Sequence, residues 1–484
     1  MIAILAFRHL LVKRGRSLFL LLGYGLGVGV MIVLLSVGAA MLDQSRDVSL
    51  VGGGELTVLP LGIDVEAMRT GGASGMFFGI DRARFLTRQL LGGPRHARLV
   101  HTVSPAIENK LVYLSFRGHT IAARAGGEIP SRAASLGAGL HVLSGAWQDV
   151  GADSAWIAPS PGQLYDELDR FHIPAVADSS WGEWHYFNFT TGPGDWWYVT
   201  YLVGGRVLRG SWGGQMLVSH RKPDGRYDRF TAAVPADSIV LDTTRADLTL
   251  GSSSVRQRDG RYALSAAARG SAGRVSLDLN LTPDPNRYFP PVELREGEFP
   301  SGYVVPALSG SATGTICVGR RCTALTSAPA YHDHNWGVWR DVTWDWGAAR
   351  GRNFNLLYGG VYAPDDSAAL RSTGTARLLV ALVDSLGVRQ ILRAGPVHYE
   401  GVHPQSARYG VNAPASFSFL ATRESDTVRV TAHILDFQAT DRTAAGLGRS
   451  FLQMRGSFEM EGKVGGVLLN DAGTGFFETY VRSE

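Results

Sequence analysis

Cysteine is nearly missing from this 484-residue chain: Cys317 and Cys322 are the only two. Two thiols with no companion pair nearby make a poor zinc site, which takes four Cys or His ligands. They flank Val-Gly-Arg-Arg, so two strands around that turn would bring them to bridging distance. An oxidising compartment permits the bond; two free apolar thiols is the alternative. Excess charge of one sign is also missing from most of the chain. The net charge of +4 resides in residues 1–16, which carry Arg8, Lys13, Arg14 and Arg16 and no acid. The remainder balances at 43 basic and 43 acidic residues, leaving no basic patch for a nucleic-acid backbone. Phosphate-loop, dinucleotide and Gly-x-Ser-x-Gly nucleophile signatures are lacking too.

Leu18 to Leu42 contains no charged residue. Its 25 residues would span about 37 Å as a helix, enough to cross a hydrocarbon core of about 30 Å. Basic residues precede the run and Asp43 and Asp47 follow it, which places residues 1–16 in the cytoplasm and the bulk outside. A cleaved signal peptide competes, with Val37-Gly38-Ala39 as the cleavage site, but its apolar region is only about 7–15 residues long. Gly23, Gly25, Gly27 and Gly29 make two overlapping small-xxx-small pairs, a surface for a partner helix or ordinary glycine tolerance.

Length and composition predict two or three domains of many short strands: 60 Gly, 11 Trp and 45% apolar residues. Residues 43–170 mix strand-like runs (Glu55–Leu59, Lys110–Phe116) with helix-like ones (Asp81–Leu91, Gln163–Arg170), an α/β domain. From Phe171 the pattern turns to alternating strands separated by turns such as Pro223-Asp224-Gly225 and Asp284-Pro285-Asn286. Nine of the tryptophans fall in two clusters, 181–212 and 336–346, about 150 residues apart. That spacing predicts two similar β units, 171–305 and 306–484, each the size of an eight-to-ten-stranded antiparallel barrel able to hold a small apolar ligand.

Two resemblances follow from particular stretches. Phe7 to Leu61, with its basic start, Gly-rich run and "LTVLPLG", looks like the front of a macrolide-exporter-type permease, as does "HTVSPAIENKLVYL" (101–114). Such permeases carry three more spans near the C-terminus, and no later run here is long and apolar enough, so the chain is no transport channel by itself. The second resemblance covers 171–484. "GEWHYFNF" (182–189), "AYHDHNWG" (330–337) followed by "WDWG" (344–347), and "GTGFFETY" (473–480) resemble the carotenoid 1,2-hydratase (hydroxyneurosporene synthase) and AttH-like family. Glu183, Trp184, Tyr186 and Phe187 match the family's Glu-Trp-Trp-Tyr-Phe, and His185 replaces the second Trp. This resemblance implies two tandem lipocalin-like barrels and cofactor-free chemistry on isoprenoid-like molecules. Ligand-binding roles are implied for Glu183, Trp184, Tyr186, Trp344, Trp346 and Tyr358.

Hydrating an isolated alkene takes a strong proton donor, shelter for a tertiary carbocation and a positioned water. A carboxylic acid in an apolar pocket stays protonated, aromatic faces stabilise the cation, and a histidine orients water. Tyr331 to Trp336 holds all three residue types, with Asp333 expected as acid, Tyr331 and Trp336 as shields, and His334 holding acid or water. On a strand, Tyr331, Asp333 and Asn335 share one face and His332, His334 and Trp336 the other. His332 and His334 lack a visible companion cluster, so no metal is expected. Family hydratases also carry a downstream Tyr-x-Asp pair. Here "NLLYGGVYAPDD" keeps Tyr358 and Tyr362 but has Gly360 and Pro364, with Asp365 and Asp366 displaced. The readings are therefore a hydratase of a carotenoid-like polyene anchored in a bacterial inner membrane, a non-catalytic subunit of an export or photosynthetic membrane complex, and a passive lipid or isoprenoid carrier.

Overall fold

The computed structural model describes residues 14–45, 56, 58, 80–136, 150–151, 169–174, 177–296, 299–339, 343–362, 378–441 and 449–482. The chain forms two compact units, residues 1–79 with 102–157, and residues 80–101 with 158–484.

In the first unit, the uncharged run lies within one helix, α1 (Arg14–Ser45). Its apolar side chains face outward, with Phe19 80% and Leu26 73% exposed. A Cβ placed on Gly23, Gly25, Gly27 or Gly29 would meet nothing within 4 Å. The side chains of α1 are described without a break from Leu21 to Val37, and among the described residues no helix is long and apolar enough to cross a membrane. The unit also holds the hairpin of β1 (Ala106–Phe116) and β2 (His119–Glu128), which contains the expected strand Lys110–Phe116. The expected helix Asp81–Leu91 forms as Ile80–Gly92 but belongs to the second unit, so residues 43–170 do not make one α/β domain. Glu55–Leu59 and Gln163–Arg170 lie largely outside the described residues.

The second unit is built by period-two alternation. β3 (Trp181–Gly192), β4 (Asp195–Arg206), β5 (Ser211–Arg221) and β6 (Tyr227–Pro235) form a meander. The short strands β7 (Ile239–Leu241), β8 (Leu248–Leu250) and β9 (Ser253–Arg258) extend the sheet beside β10 (Arg261–Gly270). β11 (Gly273–Pro283), β13 (Phe299–Val318) and β14 (Arg321–Val338) complete the circle, because β14 returns to β3; β12 (Phe289–Glu296) lies on β13. The circle β3-β4-β5-β6-β10-β11-β13-β14 is a closed eight-stranded antiparallel barrel.

A second closed eight-stranded barrel follows. Its strands are β15 (Thr343–Gly351), β16 (Asn355–Tyr362), β17 (Leu378–Asp384), β18 (Gly387–Ala394), β20 (Ser416–Arg423), β21 (Asp426–Asp441), β22 (Arg449–Val464) and β23 (Val467–Arg482). Pairings β15–β23 and β18–β20 close it, with the short β19 (His398–Glu400) beside β20.

The border expected at 305/306 falls inside β13, and the first barrel runs on to Val338. Within β13 the close approach to β11 requires Gly310: a Cβ there would stand 2.6 Å from the Thr282 carbonyl oxygen of β11. The hairpin β13–β14 sets Cys317 opposite Cys322, and the two form the expected disulfide.

Three apolar clusters organise the unit. One fills the first barrel (Phe187, Trp197, Tyr201, Tyr262, Leu279) and another the second (Tyr358, Phe417, Phe419, Phe437, Phe477). The third lies between the barrels and takes the outward faces of both: Tyr186, Tyr198, Tyr303 and Tyr331 from one, Trp346 and Phe476 from the other. Facing glycines admit the largest rings of the second barrel. Gly359 is paired with Trp346 and Gly347 with Tyr358, and a Cβ at Gly359 would stand 2.5 Å from the Trp346 ring.

Candidate active site between the barrels

The first and middle sequence motifs, expected in different barrels, are neighbours. β14 pairs with β3 through nine consecutive residues, Ala330↔Phe189 to Val338↔Trp181, which sets His334 opposite His185 and Asp333 opposite Tyr186. The register with β3 is unbroken and the bulges opposite this stretch fall on β13, so the alternation of β14 separates its side chains into two environments.

His332, His334 and Trp336 point into the first barrel, with Glu183 and His185 from β3. There His334 lies between two carboxylates, Nδ1 2.8 Å from Asp169 Oδ1 and Nε2 2.8 Å from Glu183 Oε1. His332 places Nε2 3.0 Å from Asp169 Oδ2 and Nδ1 3.0 Å from the Tyr186 carbonyl oxygen. The His172 amide donates to Glu183, and its ring stacks on Trp336 at 3.8 Å. Burial alone would lower the His334 pKa, but the bonds to Asp169 and Glu183 outweigh it and raise it to about 9. Burial opposes ionisation of Asp169 and Glu183, yet the surrounding histidines hold both below their ordinary values. Burial and the neighbouring His334 charge push His185 well down.

Tyr331, Asp333 and Asn335 point the other way, toward the second barrel. Asp333 Oδ2 accepts from the Tyr331 hydroxyl at 2.8 Å, and Oδ1 from the Asn335 amide at 2.7 Å. The Tyr331 oxygen in turn accepts from Trp346 Nε1 at 3.2 Å. Across from them stands Glu478 of β23, which accepts from Trp344 Nε1 at 3.0 Å and from the Gln453 amide at 3.2 Å. Burial first, then the Glu478 charge, raises the Asp333 pKa well above the carboxylate range. Burial likewise raises Glu478, to about 7. Asp333, Asn335, Gln453 and Glu478 line a cleft of about 1490 Å³ walled by Trp184, Tyr186, Trp344 and Trp346. Its volume exceeds the 300–1,000 Å³ or so of an ordinary ligand pocket.

The structure thus divides the expected site. Asp333 meets Trp184, Tyr186, Trp344 and Trp346 in the cleft, and Tyr331 stands behind it, bonded to Asp333 and Trp346 and not itself lining the space. His334, Trp336 and Glu183 stand inside the first barrel, so His334 does not hold Asp333; Tyr331 and Asn335 do. Tyr358 is enclosed in the second barrel, 5.1 Å from Phe419 ring to ring, away from the cleft. Asp365 and Asp366 lie outside the described residues. Glu478 lies within the third motif, two residues before its end, without having been assigned a role, and Asp169 belongs to no motif. The barrel interiors, expected to hold ligand, are occupied by their own side chains; the large space lies between them.

No protein-family model and no curated protein matches the sequence. Among solved structures, an AttH protein from Nitrosomonas europaea is 18% identical with a TM-score of 0.46, covering 65% of this chain and 98% of its own. CghA, solved with Sch210972, is 12% identical with a TM-score of 0.44, covering 66% and 97%. Kievitone hydratase from Nectria haematococca is 12% identical with a TM-score of 0.42, covering 66% and 98%.

Proposed function

We propose that the chain is a membrane-anchored, hydratase-like protein that admits an isoprenoid-like polyene between its barrels and adds water across a double bond. One observation carries this reading: two buried carboxyl groups, Asp333 and Glu478, reach one aromatic-walled cleft from different barrels, and burial pushes both pKa values upward. Such a pair can divide the acid and base roles. Asp333, held protonated by burial and by the Glu478 charge, transfers its proton to the alkene carbon. The faces of Trp184, Trp344 and Tyr186 shelter the tertiary cation. Ionised Glu478 takes a proton from water as the oxygen bonds to the cationic carbon. Moving that proton from Glu478 to Asp333 restores both groups, and alkene plus water has become a tertiary alcohol.

The test is incubation of the purified chain with an acyclic carotenoid in H₂¹⁸O. One ¹⁸O per product is expected. Asp333→Asn should lose about 10²–10⁴-fold in rate, the usual worth of a positioned acid. Unchanged turnover in that variant, with the wild type active, would remove the carboxyl from the role.

Anchoring is supported by the helical Leu18–Leu42 run and its basic flank, and the Cys317–Cys322 bond suits an oxidising compartment. Deleting 14–45 should release the protein from membranes that resist an alkaline carbonate wash; retention would count against the anchor. A second reading, a non-catalytic subunit of a membrane complex, rests on the open glycine face of α1. Mild-detergent purification yielding a partner-free monomer would sink it.

A further inference from the structure

We propose that Asp169, His185 and His334 form a binding site for a divalent transition-metal ion inside the first barrel, separate from the cleft. The three residues come from distant parts of the chain. Asp169 precedes β3, His185 lies on β3, and His334 lies on β14 directly opposite it. All three are fully buried, and their donor atoms lie within 4.8 Å of one another. Asp169 Oδ1 is the common point, 2.8 Å from His334 Nδ1 and 3.6 Å from His185 Nδ1. Zinc bonds of about 2.0–2.2 Å set tetrahedral donor atoms about 3.4 Å apart, so the His185–Asp169 spacing already suits an ion and the His334–Asp169 contact would open by about 0.6 Å to seat it.

His185 supplies the independent sign. It is 0% exposed, yet neither ring nitrogen has a hydrogen-bond partner among the described residues. Its ring lies 4.1 Å from that of His334, centroid to centroid, and 5.2 Å from Phe171. A buried imidazole so placed is left unsatisfied, whereas coordination would satisfy it.

Atoms turned away from the shared point are fixed as a metal site's outer partners are. Asp169 Oδ2 is engaged by His332, whose other nitrogen meets the Tyr186 carbonyl oxygen, and His334 Nε2 is engaged by Glu183. Two imidazoles and one carboxylate suit zinc and its first-row neighbours rather than calcium or magnesium, which take oxygen ligands. A second set of donors, His172, Glu183 and His334, shares His334, but His172 is partly exposed and already bonded to Glu183. The ion would tie the Asp169 segment to β3 and β14.

The test uses the full chain, stripped with a chelator and titrated with Zn²⁺ by calorimetry and elemental analysis. One equivalent should bind and raise Tm, since a ligand of the folded state stabilises it by mass action. Asp169→Asn and His185→Gln should abolish binding, and His332→Gln should weaken it about 10–100-fold. Co²⁺ in the unmutated protein should give the visible absorption of a tetrahedral nitrogen–oxygen site, a readout that does not depend on the variants folding. Absence of bound Zn²⁺ and of a Co²⁺ spectrum in the wild type would overturn the proposal. Equal Zn²⁺ binding by folded Asp169→Asn and His185→Gln variants would also overturn it.

Discussion

Asp333 and Glu478 show how little of a side chain's chemistry is written in its own position. Asp333 was legible as an acid because tyrosine, histidine and tryptophan surround it in sequence. Glu478 stands 145 positions further on, and only the folding of the second barrel brings its charge to bear. Glu478 titrates near 7 against an ordinary value of 4.5. As its ionised form is the proposed base, kcat/KM should rise with pH through about 7. Glu478→Gln should lack that limb; a limb preserved in the variant would assign it to another group. The same shift acts on stability with a definite sign. As pH rises from about 4.5 to about 7, the unfolded chain ionises while the folded one stays protonated, so stability falls, on the order of 3 kcal/mol, and then levels off. Chemical denaturation across this range should give a flatter profile for Glu478→Gln than for the wild type. His185 was noticed only as a departure from the family's tryptophan; its unbonded nitrogens became visible once Asp169 was placed beside it.

Strands were the most legible elements, because alternation of apolar and polar residues directly reports a half-buried pleat. The two faces expected for Tyr331–Trp336 form as read, but which face met which chamber depended on pairing with β3, a contact about 150 residues away in sequence. The expected border at 305/306 crosses β13, and Gly310 is required where that strand presses on β11. Glycines opposite rings make a related test. Gly359→Ala would drive a methyl into Trp346, and overpacking of this kind costs about 1–3 kcal/mol. Thermal unfolding should report the loss, and activity should fall with it because Trp346 supports the Tyr331–Asp333 pair. An unchanged Tm would show that the ring relaxes freely. Asp471 holds the β15–β16 turn by accepting from the amides of Arg352, Asn353 and Phe354. Asp471→Ala removes the acceptor from a turn whose Arg352 and Asn353 are exposed to water, and chemical denaturation should show a loss on the order of 1–2 kcal/mol.

At the scale of the whole molecule, two barrels were expected from the spacing of the tryptophan clusters, although Trp336 of the second cluster lies on β14 of the first barrel, and the cleft was not legible, because it is made by two outward faces that local sequence presents as ordinary strand surfaces. Those faces share an apolar cluster. The barrels should therefore unfold in one calorimetric transition; two separated transitions would show that the shared cluster contributes little. β14 has a consequence of its own. It is a partition one residue thick, with imidazoles on one side and the Tyr331–Asp333 pair on the other. Sliding it by a single position against β3 would trade the contents of the two rooms, posting histidines to the doorway and sealing the acid in the cellar. One inserted residue ahead of Ala330 would suffice, with every side chain of the motif still present.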